Sequence, residues 1–294
     1  MQQAQPAAPA MEFPVPKARM KNRFLSIDLQ GKKLSELSPQ EFDRLVARKI
    51  WSNGIVCVKN QDLNPAEMKQ VAAIMGKPLE LPPAFSFENR DPANPEVVHI
   101  GNIRTDGKLV SNVKAAEYWH HDGNFWGIPG NQIVNILHAK IIPPVGGTTG
   151  FMDSSLGLRT YLDNVTVNRL KKSTTLVSCR WISDFKNANP EDMLPDVTLP
   201  CVQTHPMTGE ECLYLPFTPD GLLDQSNGEN WISNDGIWDK LVSAGFTYQH
   251  QYEAGDVLLW DNLQVMHRSM GGYGDNPRLL YRAQSQYSST TSRL

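Results

Sequence analysis

The stretch Val257-Leu258-Leu259-Trp260-Asp261-Asn262-Leu263-Gln264-Val265-Met266-His267 carries the pattern that decides the fold. A run of apolar, partly β-branched and aromatic residues reads as a buried strand, and the polar Asp-Asn pair turns the chain ahead of a histidine. Runs of the same kind recur from about residue 97 onward: Val97–Ile100, Ile133–Leu137, Thr174–Arg180, Cys212–Leu215, Thr247–Tyr252 and Leu279–Gln286. Helices are expected only at Ser154–Leu162 and Ile237–Ala244, and Ile182–Pro200, rich in Asp, Asn and Pro, reads as a long connection or mobile lid. Many short strands with inserted helices give a mainly β protein, a closed or double-sheet jelly roll.

The front end differs. Ser38-Pro39-Gln40-Glu41 and Asn64-Pro65-Ala66-Glu67 each place a capping side chain, a proline at the first helical position and a glutamate three residues after the cap. The first predicted helix aligns Phe42, Leu45, Val46 and Ile50; the second aligns Met68, Val71, Ala72 and Met75 and stops at Gly76, with Pro78 beyond. Gly54-Ile55-Val56-Cys57-Val58 between them reads as a buried strand.

With 294 residues, 40% hydrophobic and 20% charged, the chain reads as one catalytic domain over 21–294 behind a flexible tail over 1–20. The tail lacks a basic region followed by an apolar stretch, so no signal peptide is expected, and no apolar run approaches the roughly 20 residues of a membrane span. A net charge of -3 without a Lys/Arg block argues against nucleic acid as a partner. Cys57, Cys179, Cys201 and Cys212 show no C-x-x-C spacing and read as buried free thiols of a reducing, cytoplasmic compartment. The terminal Ser292-Arg293-Leu294 resembles a peroxisomal address, which has meaning only in a eukaryote.

Chemistry concentrates in Tyr118-Trp119-His120-His121-Asp122. Residues two apart on a strand share a face, so His120 and Asp122 can converge on one ion while His121 points the other way. His267 supplies a third ligand. Two imidazoles and a carboxylate on one side of an octahedron leave positions open, the arrangement of non-haem Fe(II) oxygenases. The same ligands also suit catalytic zinc, so they do not select the metal alone. Arg278 and Arg282 follow, four apart and therefore on one face of the last predicted strand, with Leu279 and Tyr281 on the other. Burying two such cations requires an anion, and the planar guanidinium fork matches a carboxylate, such as that of a 2-oxo diacid.

These residues together resemble the taurine dioxygenase (TauD/TfdA) family of Fe(II)/2-oxoglutarate-dependent dioxygenases. Trp119-His120-His121-Asp122-Gly123-Asn124-Phe125 is similar to its Trp-His-x-Asp-x-x-Phe motif, and Pro143-Pro144-Val145-Gly146-Gly147-Thr148-Thr149 to its Pro-x-x-Gly-Gly-x-Thr. Trp260-Asp261-Asn262 and the arginines eleven and fifteen residues after His267 also match, as do Gly54–Val58, Leu63-Asn64-Pro65 and Met75-Gly76-Lys77-Pro78. The resemblance spans roughly Gly54 to Gln284 and implies a double-stranded β-helix of the cupin-like kind. It further implies Fe(II) held by His120, Asp122 and His267, with 2-oxoglutarate, the co-substrate consumed with O2, held by Thr149, Arg278 and Arg282. Asp122 argues against halogenases, which carry a small residue there, and Leu79–Phe85 lacks the histidine that grips taurine's sulfonate.

The expected activity is oxidation of a small organic substrate by hydroxylation, desaturation or cyclisation, with release of succinate and CO2, in secondary metabolism or catabolism. Asn124, Phe125 and Trp126 are candidate substrate contacts, and Trp119 a candidate pocket wall. Two other readings stay open: a non-catalytic 2-oxoglutarate and metal sensor, and a zinc hydrolase on the same barrel. His99, His138, His205 and His250 read as packing or turn residues, His205 leading a hairpin turn. Oligomeric state is open, a homo-oligomer included.

Overall fold

The computed structural model describes residues 23–81, 89–111, 116–123, 126, 132–155, 162–178, 194–215, 222–231, 234–243 and 247–288. The expected tail, the Ser292-Arg293-Leu294 terminus, Cys179, positions 156–161 of the expected helix Ser154–Leu162 and positions 182–193 of the expected connection lie outside those residues.

The helical front end forms as its caps dictate. Ser38 accepts from the Glu41 N–H and Glu41 bonds back to Ser38 at the start of α1 (Pro39–Phe42), which runs through a π turn (Asp43–Ala47) into α2 (Arg48–Asn53). Asn64 and Glu67 make the same reciprocal pair at α3 (Pro65–Met75), each cap contributing about 1 kcal/mol. Phe42, Val46, Ile50, Met68, Val71, Ala72 and Met75 are all buried. Two later helices, α4 (Asn164–Leu170) and α5 (Asn234–Ser243), flank the β region. No helix among the described residues is long and apolar enough to cross a membrane.

The strands in chain order are β1 (Phe24–Asp28), β2 (Ile55–Lys59), β3 (Lys77–Pro78), β4 (Val98–Gly101), β5 (Ile133–Ile141), β6 (Thr149–Asp153), β7 (Ser173–Val177) and β8 (Val197–Pro200). They continue as β9 (Val202–Thr204), β10 (Glu211–Leu213), β11 (Leu222–Asp224), β12 (Glu229–Trp231), β13 (Thr247–His250), β14 (Val257–Asp261), β15 (Val265–Ser269) and β16 (Leu279–Gln286). Seven of them form one sheet in the order β1-β2-β14-β5-β16-β3, with β4 beside β16; β13-β6-β15 form a second, and β12-β11-β7-β8 a third. Only β1 and β2 pair in parallel among the described residues.

Period-two alternation sorts the large sheet's side chains into two cores. Val56, Val58, Val134, Ile136, Val257, Leu259 and Ala283 face out and pack under the N-terminal helices. Ile55, Cys57, Leu137, Ala139, Leu258, Trp260 and Leu280 face in and meet Phe151 of β6 and Val265 of β15. The fold is therefore a jelly roll whose interior lies between the seven- and three-stranded sheets, as the strand pattern predicts.

Two expectations change. Val197–Pro200, placed in the long connection, is an edge strand antiparallel to β7, and its proline is tolerated because an edge strand has an unpaired side. The strand expected at Thr174–Arg180 ends at Val177. Cys57, Cys201 and Cys212 are buried and free, and His205 heads the β9–β10 turn.

Candidate functional site

Three segments meet at the open edge of the three-stranded sheet. His120 forms an isolated antiparallel bridge with His267 of β15, each backbone N–H donating to the other's carbonyl at 3.1 Å. That bridge sets the two imidazoles side by side, with ring centroids 4.3 Å apart. The chain then turns at Asp122-Gly123, bringing the carboxylate between them: His120 Nε2 lies 3.7 Å from Asp122 Oδ1, and His267 Nε2 lies 3.4 Å from Asp122 Oδ2. Two ligand atoms each about 2.1 Å from one ion can be at most about 4.2 Å apart, so both spacings are compatible with a shared metal. Gly123 is required at the turn, because its φ is +63° and a Cβ would lie 2.4 Å from the Trp126 ring.

The protonation states suit a metal. His120 Nδ1 lies 2.8 Å from the Tyr118 carbonyl, to which it donates, freeing Nε2 for the ion. Burial, then the neighbouring His267, pushes the His120 imidazole down to about 4, so it is neutral at pH 7. Burial alone would raise Asp122, yet Arg282 and then His267 hold its carboxyl well below the usual range. His121 points the other way, as its position predicts, and packs on Tyr214 at 4.9 Å.

The ligands are held from behind. Asn262 clamps Asp122 by accepting its N–H (3.0 Å) and donating to its carbonyl (2.7 Å). Asp261 accepts from the Leu263 and Gln264 N–H groups (3.0 and 2.8 Å), which fixes the turn into β15. His205 and Tyr287 anchor the other oxygen of Asp261. Trp260 stands edge-on to His267, at 4.9 Å and 65°.

Asn135 completes the support. One edge of its amide lies 3.1 Å from Asp122 Oδ2 and 2.7 Å from Gln284; the other lies 3.0 Å from Trp260 Nε1 and 2.9 Å from Asn262 Oδ1. A carboxylate only accepts and an indole N–H only donates, so the NH2 faces Asp122 and the oxygen faces Trp260. This orientation leaves an oxygen-to-oxygen contact with Asn262 and requires the Gln284 amide to turn its oxygen toward Asn135; the reverse relieves both but sets oxygen against the Asp122 carboxylate and NH2 against the Trp260 indole N–H.

The second half of the site is a cation with no anionic side chain beside it among the described residues. Gly146 and Gly147 turn at φ +70° and +69° against Gly272 and Arg278, where a Cβ on Gly146 would lie 2.4 Å from the Gly272 carbonyl carbon. The Gly147 carbonyl accepts from Arg278 Nε at 3.0 Å. Arg278 is 3% exposed, and no carboxylate pairs with it among the described residues. Burial, the largest influence, depresses its pKa. Thr149 and Tyr252, hydroxyl to hydroxyl at 2.8 Å, sit in the same surroundings.

Arg282 does not join that pocket. Its guanidinium lies 3.5 Å from both Asp122 oxygens, so the two arginines serve opposite ends of the site. A bulge on β5 at Lys140 shifts the register between Leu279 and Leu280. Tyr281 nevertheless faces the outer core, as predicted. Trp126 stands against Gly123 beside Asp122, while Asn124 and Phe125 lie outside the described residues. Trp119, expected as a pocket wall, instead packs beside Met152 and Met266, with Arg268 5.7 Å over its ring. Residues one apart on the bridge point to opposite sides, so Trp119 cannot share the side of His120.

The sequence reading missed Asn135, Gln284 and Tyr252. Asn135 had a signal: one amide inside the apolar run Ile133-Val134-Asn135-Ile136-Leu137, costly to bury without a partner.

Known proteins fit this geometry. The family model described as taurine catabolism dioxygenase TauD, TfdA family matches residues 16–284. An α-ketoglutarate-dependent 2,4-dichlorophenoxyacetate dioxygenase of Burkholderia sp. (strain RASC) is 25% identical over 262 residues, covering 83% of this chain and 83% of the relative. An alkylsulfatase of Acinetobacter baylyi is 24% identical over 236 residues, covering 76% and 69%. Among solved structures, AAD-2 in complex with Mn(II) and N-oxalylglycine superposes with a TM-score of 0.73 at 23% identity, over 90% of this chain and 94% of that one. That likeness fixes the fold as the jelly roll of these dioxygenases. With a family model matched along nearly the whole chain, the protein belongs to the TauD/TfdA family and is an Fe(II)- and 2-oxoglutarate-dependent dioxygenase that consumes O2.

Proposed function

We propose that His120, Asp122 and His267 hold the Fe(II), that Thr149 and Arg278 seat the distal carboxylate of 2-oxoglutarate, and that Arg282 stands at its 2-oxo acid end. The observation that carries this reading is the convergence of three potential ligand atoms within 4.8 Å of one another, in a fold that also buries Arg278 with no carboxylate partner among the described residues. Spacing supports it. Thr149 lies two residues along β6 from Phe151, the register partner of His267. At about 3.4 Å per residue that separates metal and hydroxyl levels by about 7 Å, within reach of a five-carbon diacid.

The reaction is oxidation of a C–H bond in a small organic substrate: 2-oxoglutarate, O2 and R–H give succinate, CO2 and R–OH, with desaturation or ring closure as the other outcomes. Fe(II), when bound, supplies the activation of O2 that side chains lack. The protein's part is positional. Asn262 and Asn135 hold Asp122, Trp260 holds the His267 ring, and Arg282 keeps the Asp122 carboxylate ionised and charge-balanced. Trp126, with Asn124 and Phe125, contributes to the substrate side. The domain acts as one catalytic unit over 21–294.

A sensor without turnover would bind 2-oxoglutarate yet release no succinate, and a zinc hydrolase leaves Arg278 without an anion. The test is succinate release with Fe(II), O2 and a substrate panel drawn from the relatives' classes: phenoxyacetates and alkyl sulfates. Substrate-stimulated succinate formation supports the reading. Substrate conversion that proceeds without O2 contradicts it.

A further inference from the structure

Tyr252 was not among the residues expected to bind anything, yet it sits beside Thr149 with its hydroxyl 2.8 Å from Thr149 Oγ1 and its residue 4% exposed. Its ring cannot retreat. His250 packs edge-on against it, at 4.8 Å and 82°, and His250 is itself fixed between Asp256 Oδ2 and the Tyr248 hydroxyl, each at 3.1 Å. Lys59 balances Asp256 at 2.6 Å, so the network behind the ring is already charge-paired.

Hydrogen-bond counting then points to a ligand. Thr149 and Tyr252 each bring one O–H proton. Their mutual contact uses one, leaving the other without a partner among the described residues, in a buried place. Arg278 adds donors from its terminal NH2 groups, part of which Tyr273 engages, since its Nε is taken by the Gly147 carbonyl. The phenol is pushed up to about 12 by burial, so at neutral pH it is a donor and not a phenolate.

We infer that Tyr252 is a third direct anchor of the co-substrate: its O–H donates to the distal carboxylate of 2-oxoglutarate beside Arg278 and Thr149. The inference rests on the co-substrate reading above and deepens it. Because the ring is backed by His250, it also closes the pocket at that end and selects against longer 2-oxo diacids.

The test compares wild type and Tyr252→Phe, each loaded anaerobically with Fe(II), by titrating 2-oxoglutarate and 2-oxovalerate, which keeps the chain but lacks the distal carboxylate. The readout is the visible metal-to-ligand charge-transfer band, with the ligand-free melting temperature as a check on folding. A hydrogen bond to a charged group predicts 2-oxoglutarate binding about 10- to 100-fold weaker in the variant, with 2-oxovalerate binding unchanged. Equal affinity for 2-oxoglutarate in both proteins overturns the inference, and so does equal weakening for both ligands, which marks a purely structural role. Should wild type itself give no band with 2-oxoglutarate, the co-substrate reading fails and takes this inference with it. A separate titration of Mn(II) alone, followed by its EPR signal, should give the same affinity in both proteins; a large loss there also refers the effect to structure.

Discussion

Replacing Asn135 by leucine asks how much of the metal's affinity comes from a residue expected to touch neither metal nor substrate. Asn135 is fully buried, and its amide spans Asp122 Oδ2 at 3.1 Å and Trp260 Nε1 at 3.0 Å. Leucine keeps the branching and leaves no cavity, but its methyls are bulkier than the amide and add an overpacking cost of about 1–3 kcal/mol. What is lost is a hydrogen bond to a charged carboxylate, about 1.5–3 kcal/mol, and the acceptor of a buried indole N–H, about 1–3 kcal/mol. The apo-protein is therefore expected to melt lower by at least about 5 °C, taking about 2–4 °C per kcal/mol for a chain of this size. Metal affinity should fall about 10- to 100-fold, as for other groups that orient a metal ligand from behind. The assay is Mn(II) titration followed by the EPR signal of free Mn(II), run well below the variant's melting temperature. Gln284→Leu should have a smaller effect, because Gln284 meets Asn135 and reaches Asp122 only through it. An Asn135→Leu protein that binds Mn(II) within twofold of wild type would refute the reasoning, whatever its melting temperature.

Two further predictions rest on separate parts of the molecule. Arg278→Gln should weaken 2-oxoglutarate binding at least 100-fold, and Arg278→Lys should recover only part of it, since a point charge does not replace a planar fork; titration of the charge-transfer band checks this. His138 is buried, its Nδ1 without a partner among the described residues, and burial, then Lys140, pushes it down to about 4. The unfolded chain takes up that proton near 6.5, so between the two values it binds more protons than the folded chain, and stability falls with falling pH by up to about 1.4 kcal/mol per unit. His138→Gln should flatten that slope in urea melts between pH 6.5 and 4.5. Parallel slopes in variant and wild type would contradict it.

Most of the architecture was readable because burial patterns repeat at the strand period. Ile133–Leu137, Val257–Trp260 and Leu279–Gln286 are β-rich and apolar enough to announce themselves, and the Ser38 and Asn64 caps mark helix starts through local chemistry alone. Several of the strands that escaped are short or polar. Glu229–Trp231 and Val202–Thr204 have three residues each, too few for a period, and their pairing is decided by tertiary context. Val265–Ser269 was hidden because His267, read as a ligand beyond a turn, is also a strand residue, bridged to His120.

The candidate metal ligands could be picked out because their types are chemically distinctive and two of them lie two residues apart, and the fold brings the three together. The division of labour between the arginines was not. Equal parity places Arg278 and Arg282 on one face, but only the folded chain separates a guanidinium at Gly147 from one at Asp122. Tyr252 and Asn135 are ordinary residues inside strand-like runs, and their roles come largely from neighbours more than a hundred residues away, Thr149 for one and Trp260 and Gln284 for the other, which join Asn135 to the nearby Asp122.

The central claim is that one site holds Fe(II) and 2-oxoglutarate together, and anaerobic titration of the apo-protein with both tests it directly. Wild type should develop the weak visible charge-transfer band and His267→Ala should not. No band in wild type, with tight zinc binding in its place, would contradict the account.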